Sequence, residues 1–302
     1  MFENLTDLIG NTPLVRIQLD TPAQCYAKLE YLNPGGSIKD RPALYMIEQA
    51  EKRGDLKPGG TIIEASTGNQ ASALAMIGSL KGYRVIITMS EKISREKVKT
   101  VEAHGAEVLI YPQTNSLDDP QSYRSHAIRI HRQTPNSFMP NQYHNPDNRD
   151  AHQLTTGPEI WHQTNGKITH FFAGAGTGGT ISGVGRYLKQ KKPAITVVAF
   201  DSTNSYRATG GRPKPYKIEG MGLDFEPPLM DHNAVDEILT VSDDQMVAML
   251  KLLARKHGIL AGLSAAAVAA GVQQYADKLD EHSCVVMIFG DSGRAYLSKN
   301  FY

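Results

Sequence analysis

The sequence predicts an α/β fold with parallel sheets, because short apolar runs alternate along the chain with amphipathic stretches. The apolar runs are rich in Val and Ile and are bounded by Gly, Pro or charged residues, as buried parallel strands are. Repeated alternation of strand and helix patterns is typical of parallel sheets with right-handed crossovers. Eight runs have the strand pattern: residues 25–32, 61–66, 84–89, 107–112, 170–175, 196–201, 237–241 and 284–289.

Two of the intervening stretches carry helix signals at their ends. The stretch at 242–258 opens with Ser242, and Gln245 follows three residues later, which is the pattern of a capping box. It closes on Gly258 after two basic residues, a good C-terminal signature. The amphipathic stretch at 91–105 also ends on a glycine.

Composition restricts the class of protein. With 302 residues and 40% apolar content, the chain can fold as one large or two medium domains. Its 32 basic and 31 acidic residues give a net charge of +1, which offers no basic excess for nucleic acid. Cys25 and Cys284 lie in predicted strands, so we expect small buried side chains rather than a disulfide or a metal site.

We expect a cytoplasmic protein. The first ten residues, MFENLTDLIG, lack the basic start and apolar stretch of a signal peptide. No apolar run reaches the ~18 residues that a membrane-spanning helix requires.

A lysine follows a glycine turn after the first predicted strand. Residues 33–41 are NPGGSIKDR, so Lys39 stands where the next element begins. A solvent-exposed lysine needs no such surroundings, whereas a lysine that bonds covalently to a cofactor has to be held in place. Lys39 is therefore a candidate for covalent attachment of a cofactor.

Two polar or glycine-rich loops each follow a strand and precede a helix, the position at which open α/β sheets bind ligands. The first is EASTGNQASALA at 64–75, and the second is AGAGTGGTISG at 173–183. In the second loop, backbone N–H groups and the hydroxyls of Thr177 and Thr180 suit a phosphate at a helix N-terminus. Together with Lys39, the two loops favour pyridoxal phosphate as the cofactor.

The second loop also fits a different cofactor. Gly174, Gly176 and Gly179 form a G-x-G-x-x-G pattern, and Asp201 ends the next strand 22 residues beyond Gly179. This is the fingerprint of a dinucleotide site with an acid for the ribose, as in a nicotinamide oxidoreductase. That alternative gives no role to Lys39. A third possibility is a glycine-rich helix start that only packs against the sheet.

Six motifs resemble those of the cysteine synthase and cystathionine β-synthase family of fold type II pyridoxal-phosphate enzymes, and together they span nearly the whole chain. The resemblance implies two open parallel-sheet α/β domains with the cofactor in the cleft between them. A large cofactor-binding domain would comprise residues 1–41 and 146–302, and a small mobile domain that clamps the substrate would comprise 42–145. The motifs are LIGNTPLV (8–15), NPGGSIKDR (33–41), STGN (66–69), NQYHNPDN (141–148), TTGPEIW (155–161) and GTGGT (176–180).

The resemblance implies roles in binding pyridoxal 5'-phosphate. Lys39 matches the lysine that forms the Schiff base, and Asn69 matches the asparagine that hydrogen-bonds the phenolic oxygen. Ser264 matches the serine at the pyridine nitrogen, where a neutral hydroxyl suits β-elimination and discourages transamination. The phosphate loop is matched by Gly176, Thr177, Gly178, Gly179 and Thr180.

Substrate-binding residues follow from the same resemblance, and no metal is implied. The clamp on the substrate α-carboxylate is matched by Ser66, Thr67, Gly68, Gln70 and Gln142, and Tyr143 and Gly220 are further candidates for contact with the substrate.

Two positions depart from the family's pattern. Gln70 stands where the family usually has a small hydroxyl residue that binds carboxylate. Ala265 and Ala266 follow Ser264, where the family usually has Ser and Gly. Because both departures lie beside the expected substrate or cofactor, they bear on the choice of substrate.

The activity implied is β-replacement on O-acetyl-L-serine, or a related β-activated serine, with sulfide to give L-cysteine. TTGPEIW is similar to the bacterial cysteine synthase B group, whereas Tyr143 and YKIEGMGLDF (216–225) resemble cystathionine β-synthase. The alternatives are condensation of serine or O-acetylserine with homocysteine, and a cysteine or serine β-lyase. Gln70 and Ala265 also leave open a non-catalytic homologue that binds the cofactor.

The expected partners are small molecules and a second copy of the chain. They are an amino-acid substrate, a thiol or sulfide nucleophile, and the other subunit of a homodimer, with no nucleic acid and no membrane.

Overall fold

The computed structural model describes residues 1–114 and 118–302. In chain order its strands are β1 (Leu14–Ile17), β2 (Gln24–Leu29), β3 (Thr61–Ala65), β4 (Arg84–Ser90), β5 (Glu107–Tyr111), β6 (Ser137–Phe138), β7 (His170–Gly174), β8 (Thr196–Ser202), β9 (Glu237–Val241) and β10 (Cys284–Phe289). The α-helices are α1 (Asp40–Arg53), α2 (Asn69–Leu80), α3 (Arg95–Ala103), α4 (Tyr123–Gln133), α5 (Pro146–Leu154), α6 (Thr156–Gln163), α7 (Gly179–Lys191), α8 (Asp243–His257) and α9 (Leu263–Gln274).

The chain divides into two compact units. The first comprises Met1–Asp7 and Lys39–Asn148, and the second comprises Leu8–Ile38 and Arg149–Tyr302. The division of labour between a cofactor-binding domain and a mobile substrate-clamping domain stays a prediction.

The first unit is built on a four-stranded parallel sheet in the order β5-β4-β3-β6. Every residue of β4 after Arg84 is buried, as a parallel sheet covered on both faces requires. Helix α4 packs against β3 and β4. Its Ala127 joins Ile63 and Ile86 in a buried cluster on that side of the sheet.

The second unit is built on a six-stranded sheet in the order β1-β2-β10-β7-β8-β9. All neighbouring strands are parallel except β1 and β2, which pair antiparallel. The central strand β10 supplies both faces of the core, because successive side chains of a strand point to opposite faces. Val285 and Met287 belong to one buried cluster, and Val286 and Ile288 belong to another.

The predicted fold class is confirmed, since two α/β units with parallel sheets are present and all eight predicted strands form. The apolar run at 25–32 is shorter than predicted as a strand, because Glu30–Leu32 turn into a 3-10 helix. Strands β1 and β6 were not predicted. β1 is short and half exposed at the sheet edge, and β6 has only two residues.

The predicted end signals of α8 are confirmed. The Ser242 hydroxyl accepts a hydrogen bond from the Gln245 backbone N–H, and the Gln245 side chain accepts one from the Ser242 backbone N–H. Gly258 has the left-handed conformation expected of a helix-terminating glycine.

Both cysteines are free thiols, but only Cys25 is fully buried, and Cys284 is partly exposed. Burial raises the pKa of the Cys25 thiol to about 11, so this thiol is inert at neutral pH. Among residues 1–114 and 118–302, no helix combines the length and the apolar character needed to cross a membrane.

Candidate functional site

The lysine turn is fixed by a buried asparagine at its start. The side-chain amide of Asn33 donates to the backbone oxygen and the carboxylate of Glu30, at 2.7 and 2.9 Å. Its Oδ1 accepts a hydrogen bond from the Gly10 backbone N–H at 2.8 Å. Gly36 then takes a left-handed conformation and closes the turn onto the Asn33 carbonyl. This part of the turn belongs to the second unit.

The residues just before Lys39 are tied to the loop that follows β10. The Ile38 backbone N–H donates to the Gly290 carbonyl at 2.8 Å, and Ser37 forms a β-bridge with Asp291. Lys39 itself is half-buried and directly precedes α1. The structure therefore places Lys39 between a fixed turn and a helix start.

The loop after β7 approaches other backbone so closely that only glycine fits at two positions. A Cβ on Gly176 would lie 2.7 Å from the Gly220 carbonyl oxygen. A Cβ on Gly178 would lie 2.8 Å from the Met230 backbone nitrogen, and Gly178 has a φ of 84°. The loop then opens into the 13-residue helix α7. Unpaired N–H groups at such a helix start bind anions.

Hydroxyl groups complete this helix start. Thr177 Oγ1 accepts a hydrogen bond from the Gly179 backbone N–H at 3.3 Å. Thr180 Oγ1 lies 3.2 Å from Nε2 of the fully buried His152, whose Nδ1 lies 2.9 Å from Thr156 Oγ1. The position of this histidine was not predicted from the sequence, because its partners come from α6 and α7.

Asp201 is not available to a nucleotide ribose. Its carboxylate accepts hydrogen bonds from the Ser202 backbone N–H at 2.7 Å and from the Ser205 hydroxyl at 2.8 Å. Burial raises the pKa of the Asp201 carboxyl, although both of these hydrogen bonds oppose the shift. The residue closes the turn after β8, and the predicted acid of the dinucleotide alternative thus has a structural role.

Ser264 lies in the first turn of α9, and the structure brings it together with Gly220. A Cβ on Gly220 would lie 3.3 Å from Ser264 Oγ. The adjacent Gly262 backbone N–H donates to the Asp291 carbonyl at 2.9 Å, which holds the start of α9 to the loop after β10. Ala265 and Ala266 are fully buried in the core of the second unit, so these departures from the family's pattern fill packing positions.

In the first unit, the loop after β3 leaves open space beside a helix start. Residues 66–68 connect β3 to α2, and the Gly68 N–H donates to Ser66 Oγ at 3.4 Å. A Cβ on Gly68 would meet no atom of the described residues within 4 Å. The side chain of Thr67 is half-buried in this loop, and Asn69 begins the helix.

Gln70 has a buried amide group with no hydrogen-bond partner within residues 1–114 and 118–302. The residue is 2% exposed, and both its Nε2 and its Oε1 are unpaired. A buried polar atom without a partner costs about 1–3 kcal/mol, so the fold alone gives no reason for a glutamine here. An unpaired amide in the first turn of α2 points to a ligand with complementary groups.

Gln142 is held by buried side chains of the first unit. Its backbone N–H donates to Glu64 Oε1 at 3.2 Å, and its carbonyl accepts from Asn148 Nδ2 at 2.6 Å. Tyr143, the next residue, is half-buried. Neither Glu64 nor Asn148 was singled out in the sequence, because each acts on Gln142 through its backbone.

The donor groups fit pyridoxal phosphate. The second unit offers a helix N-terminus with two threonine hydroxyls for a phosphate monoester, and a serine hydroxyl for a ring nitrogen. The first unit offers an amine at Lys39, the side-chain amide of Asn69, and an unpaired amide at Gln70. Within residues 1–114 and 118–302, no group of three or more His, Cys, Asp or Glu could hold a metal ion.

Comparison with known proteins agrees with this chemistry. Residues 5–291 match the family described as pyridoxal-phosphate dependent enzyme. The chain belongs to this family. A cysteine synthase of Staphylococcus aureus is 40% identical over 304 residues, which cover 99% of this chain and 97% of the relative.

Two solved structures have the same fold over their whole length. An O-acetylserine dependent cystathionine β-synthase from Helicobacter pylori is 36% identical with a TM-score of 0.93, covering 100% of this chain and 99% of that one. A hydrogen sulfide-producing enzyme from Fusobacterium nucleatum is 36% identical with a TM-score of 0.92, covering 98% of each chain.

These matches decide between the alternatives left open by the sequence. The predicted resemblance is confirmed, and the chain is an enzyme that depends on pyridoxal phosphate. The nicotinamide oxidoreductase was a wrong alternative, because this family depends on pyridoxal phosphate, whereas the role of the loop at 173–183 stays a prediction.

We predict that Gly178→Ala weakens cofactor binding at least about tenfold, because the new Cβ collides with the backbone at Met230 and shifts the loop. Fluorescence titration of cofactor-free protein with pyridoxal phosphate measures this. Gly210→Ala is the matched control, since Gly210 also has a positive φ but open space around its Cβ position. Equal affinities in the two variants would contradict a role for the close approach at Gly178.

Proposed function

We propose that this enzyme catalyses β-replacement on O-acetyl-L-serine with sulfide, giving L-cysteine and acetate. The observation that carries the proposal is the 40% identity to a cysteine synthase over 99% of the chain, with a lysine at the glycine turn and a phosphate-type loop in place. The neutral hydroxyl of Ser264 supports replacement chemistry over transamination, because it does not hold a pyridine nitrogen protonated as a carboxylate would.

Four parts of the chain hold the cofactor in this proposal. Lys39 attaches it covalently through Nζ, and the Asn69 amide hydrogen-bonds its phenolic oxygen. Ser264 Oγ contacts its ring nitrogen. The phosphate is bound by the backbone N–H groups and hydroxyls of residues 176–180, where helix α7 begins.

Lys39 moves the proton. When bound, pyridoxal phosphate supplies the electron sink for the pair that remains on the substrate Cα after its proton has left. The Nζ of Lys39, released from the cofactor once the substrate amine has taken its place, would take that proton while acetate leaves from Cβ, and would return it to Cα after sulfide has added to Cβ. This role requires the neutral amine.

The substrate α-carboxylate is bound by residues of the first unit. Ser66, Thr67 and Gly68 supply the loop at the start of α2, where a helix N-terminus favours an anion. Gln70 and Gln142 add side-chain amides. Tyr143 and Gly220 contact the remainder of the substrate and so bear on which nucleophile is accepted.

A second candidate function is condensation of O-acetylserine or serine with homocysteine. The likeness to an O-acetylserine dependent cystathionine β-synthase, at 36% identity, favours it. The likeness to a hydrogen sulfide-producing enzyme favours a third candidate function, which is β-elimination of cysteine. Product analysis after mixing with O-acetylserine or serine, followed by sulfide or homocysteine, separates these. Formation of cystathionine but not cysteine would overturn the first proposal.

We also propose that the enzyme is a cytoplasmic homodimer, on family resemblance alone. We predict a mass near twice 33.1 kDa in multi-angle light scattering. A mass near 33.1 kDa at micromolar concentration would contradict the dimer.

We predict that Lys39→Ala abolishes both covalent attachment of the cofactor and turnover. Borohydride reduction followed by peptide mass spectrometry should find the cofactor on the peptide that contains residue 39 in the wild type and on no peptide in the variant. Lys52→Ala, at an exposed position of α1, is the control and should keep both properties. A reducible linkage in the Lys39→Ala protein would refute the assignment.

We predict that Gln70→Thr changes the dissociation constant of O-acetylserine by about tenfold or more, because a hydrogen bond to a charged group contributes about 1.5–3 kcal/mol. Folding stability should change by less than about 1 kcal/mol, since the Gln70 amide has no partner among the described residues to lose. Absorbance titration and urea unfolding measure the two. Dissociation constants within about twofold for O-acetylserine and for serine would show that Gln70 does not contact the substrate.

A further inference from the structure

Glu64 is a buried carboxylate that binds two successive backbone N–H groups. It lies on β3 and is 2% exposed. Its Oε2 accepts from the Asn141 N–H at 2.8 Å, and its Oε1 accepts from the Gln142 N–H at 3.2 Å. One carboxylate therefore fixes the peptide groups on both sides of the Asn141 Cα.

The turn at residues 141–142 has the shape that makes this possible. Asn141 has a φ of 50°, in the left-handed region, and such a residue turns neighbouring N–H groups toward one anion. Asn148 Nδ2 donates to the Gln142 carbonyl at 2.6 Å. Glu64 and Asn148, both buried, thus hold Gln142 from its two sides.

Strand β3 also carries the other part of the proposed clamp. Glu64 lies two residues before Ser66, and residues 66–70 form the loop and helix start where the substrate carboxylate is proposed to bind. β6, which pairs with β3, leads into the turn at 141–142. A shift of the Glu64 side chain would move Gln142 relative to residues 66–70.

We propose that Glu64 is a positioning residue that sets the Gln142 side chain for the substrate α-carboxylate, and that it does so only when ionised. This rests on the proposed function, in which Gln142 is part of the clamp. The ionised carboxylate offers acceptor lone pairs to both N–H groups. The protonated form carries an O–H on one oxygen, which makes that oxygen a weaker acceptor and loosens one side of the turn.

The surroundings of Glu64 determine the pH at which its carboxyl ionises. Burial raises the pKa of its carboxyl to about 7, against the smaller opposing effect of the two N–H donors. Of the elements that pack on β3, α2 and β6 carry no titratable side chain, and β4 carries only Arg84, which pairs with Glu107. The remaining element, α4, carries Tyr123, Arg124, His126, Arg129, His131 and Arg132.

The sign of the pH effect follows from this pKa. Because the pKa in the folded protein lies above the usual 4.5, the contribution of Glu64 to folding stability falls as pH rises from about 4.5 to about 7. Substrate affinity has the opposite pH dependence, because the ionised form positions the Gln142 side chain for the substrate carboxylate. Wild-type affinity should therefore decrease as pH falls through about 7, whereas that of Glu64→Gln should not follow this titration.

The test measures the dissociation constant of O-acetylserine from the change in cofactor absorbance between pH 6 and 8.5. At pH 8, Glu64→Gln should weaken binding about tenfold, which is about 1.4 kcal/mol. Gln142→Ala should weaken it as well, and the double variant should be no weaker than Gln142→Ala alone, because Glu64 acts through Gln142. Glu51→Gln, which alters a partly exposed carboxylate that binds Tyr83 and Lys81, is the control and should bind normally.

A second measurement needs neither cofactor nor substrate. The backbone amide proton shifts of Asn141 and Gln142 should titrate together with a midpoint near 7 in the wild type, as their acceptor gains a proton. Amide shifts that stay constant from pH 5.5 to 8.5 would overturn the proposal even if Glu64→Gln does not fold.

The outcomes separate this inference from the function on which it rests. If Gln142→Ala leaves the dissociation constant unchanged, the clamp itself is wrong, and the inference falls with it. If Gln142→Ala weakens binding but Glu64→Gln does not, the clamp stands and the positioning role of Glu64 is refuted. The same conclusion follows if the two variants weaken binding additively in the double variant.

Discussion

The backbone N–H groups at the start of α7 are the constraint on which the functional part of the second unit depends. A helix leaves its first N–H groups without partners inside the helix, and they require other acceptors, as Thr177 Oγ1 is for the Gly179 N–H. Neither α7 nor α2, as the structure describes them, has an acidic residue in its first turn. An external anion is therefore the natural partner of these groups, and the close packing at Gly176 and Gly178 shapes the backbone that receives it.

The lysine turn depends on a different requirement, which is that buried charges be satisfied. Lys28 is fully buried on β2, and its Nζ binds the Thr12 carbonyl at 2.6 Å, Glu159 Oε2 at 2.7 Å and Gln163 Oε1 at 3.0 Å. Removing one partner of such a pair leaves a charge uncompensated, which is far more costly than the pair is favourable. The Thr12 hydroxyl in turn donates to Glu30, whose carboxylate binds Asn33 at the start of the lysine turn. The geometry before Lys39 thus depends on a buried lysine of β2, the strand that leads into the turn.

Structural features that are signalled by consecutive residues were predicted from the sequence, whereas contacts between distant residues were missed. Buried Val- and Ile-rich strands, the capping box at Ser242 and the two loops that join a strand to a helix are each encoded in consecutive residues, and the structure contains all of them. The antiparallel β1 was missed because a short, half-exposed edge strand has little apolar pattern. The partners of His152 and Glu64 were missed for another reason. The contacts of Glu64 with residues 141–142 and of His152 with Thr180 join segments that are distant in sequence, and Glu64 binds backbone N–H groups, which every residue except proline carries.

Glu64 and Gln70 lie six positions apart in the first unit, and the burial of each polar side chain is unfavourable to folding. Burial disfavours the charge on Glu64, and burial leaves the amide of Gln70 without a partner among the described residues. Local rules that are broken without a structural gain mark functional positions. The unpaired amide of Gln70 can be satisfied by a bound carboxylate. The two N–H groups of the 141–142 turn are, in our proposal, both satisfied by Glu64 only when its carboxyl is ionised. In the proposed function, the substrate α-carboxylate brings a negative charge near a carboxylate that is itself proposed to stay negative. The proposed clamp therefore requires fixed donors for the substrate carboxylate, and the N–H groups at the start of α2 and the side chain of Gln142 are the candidates.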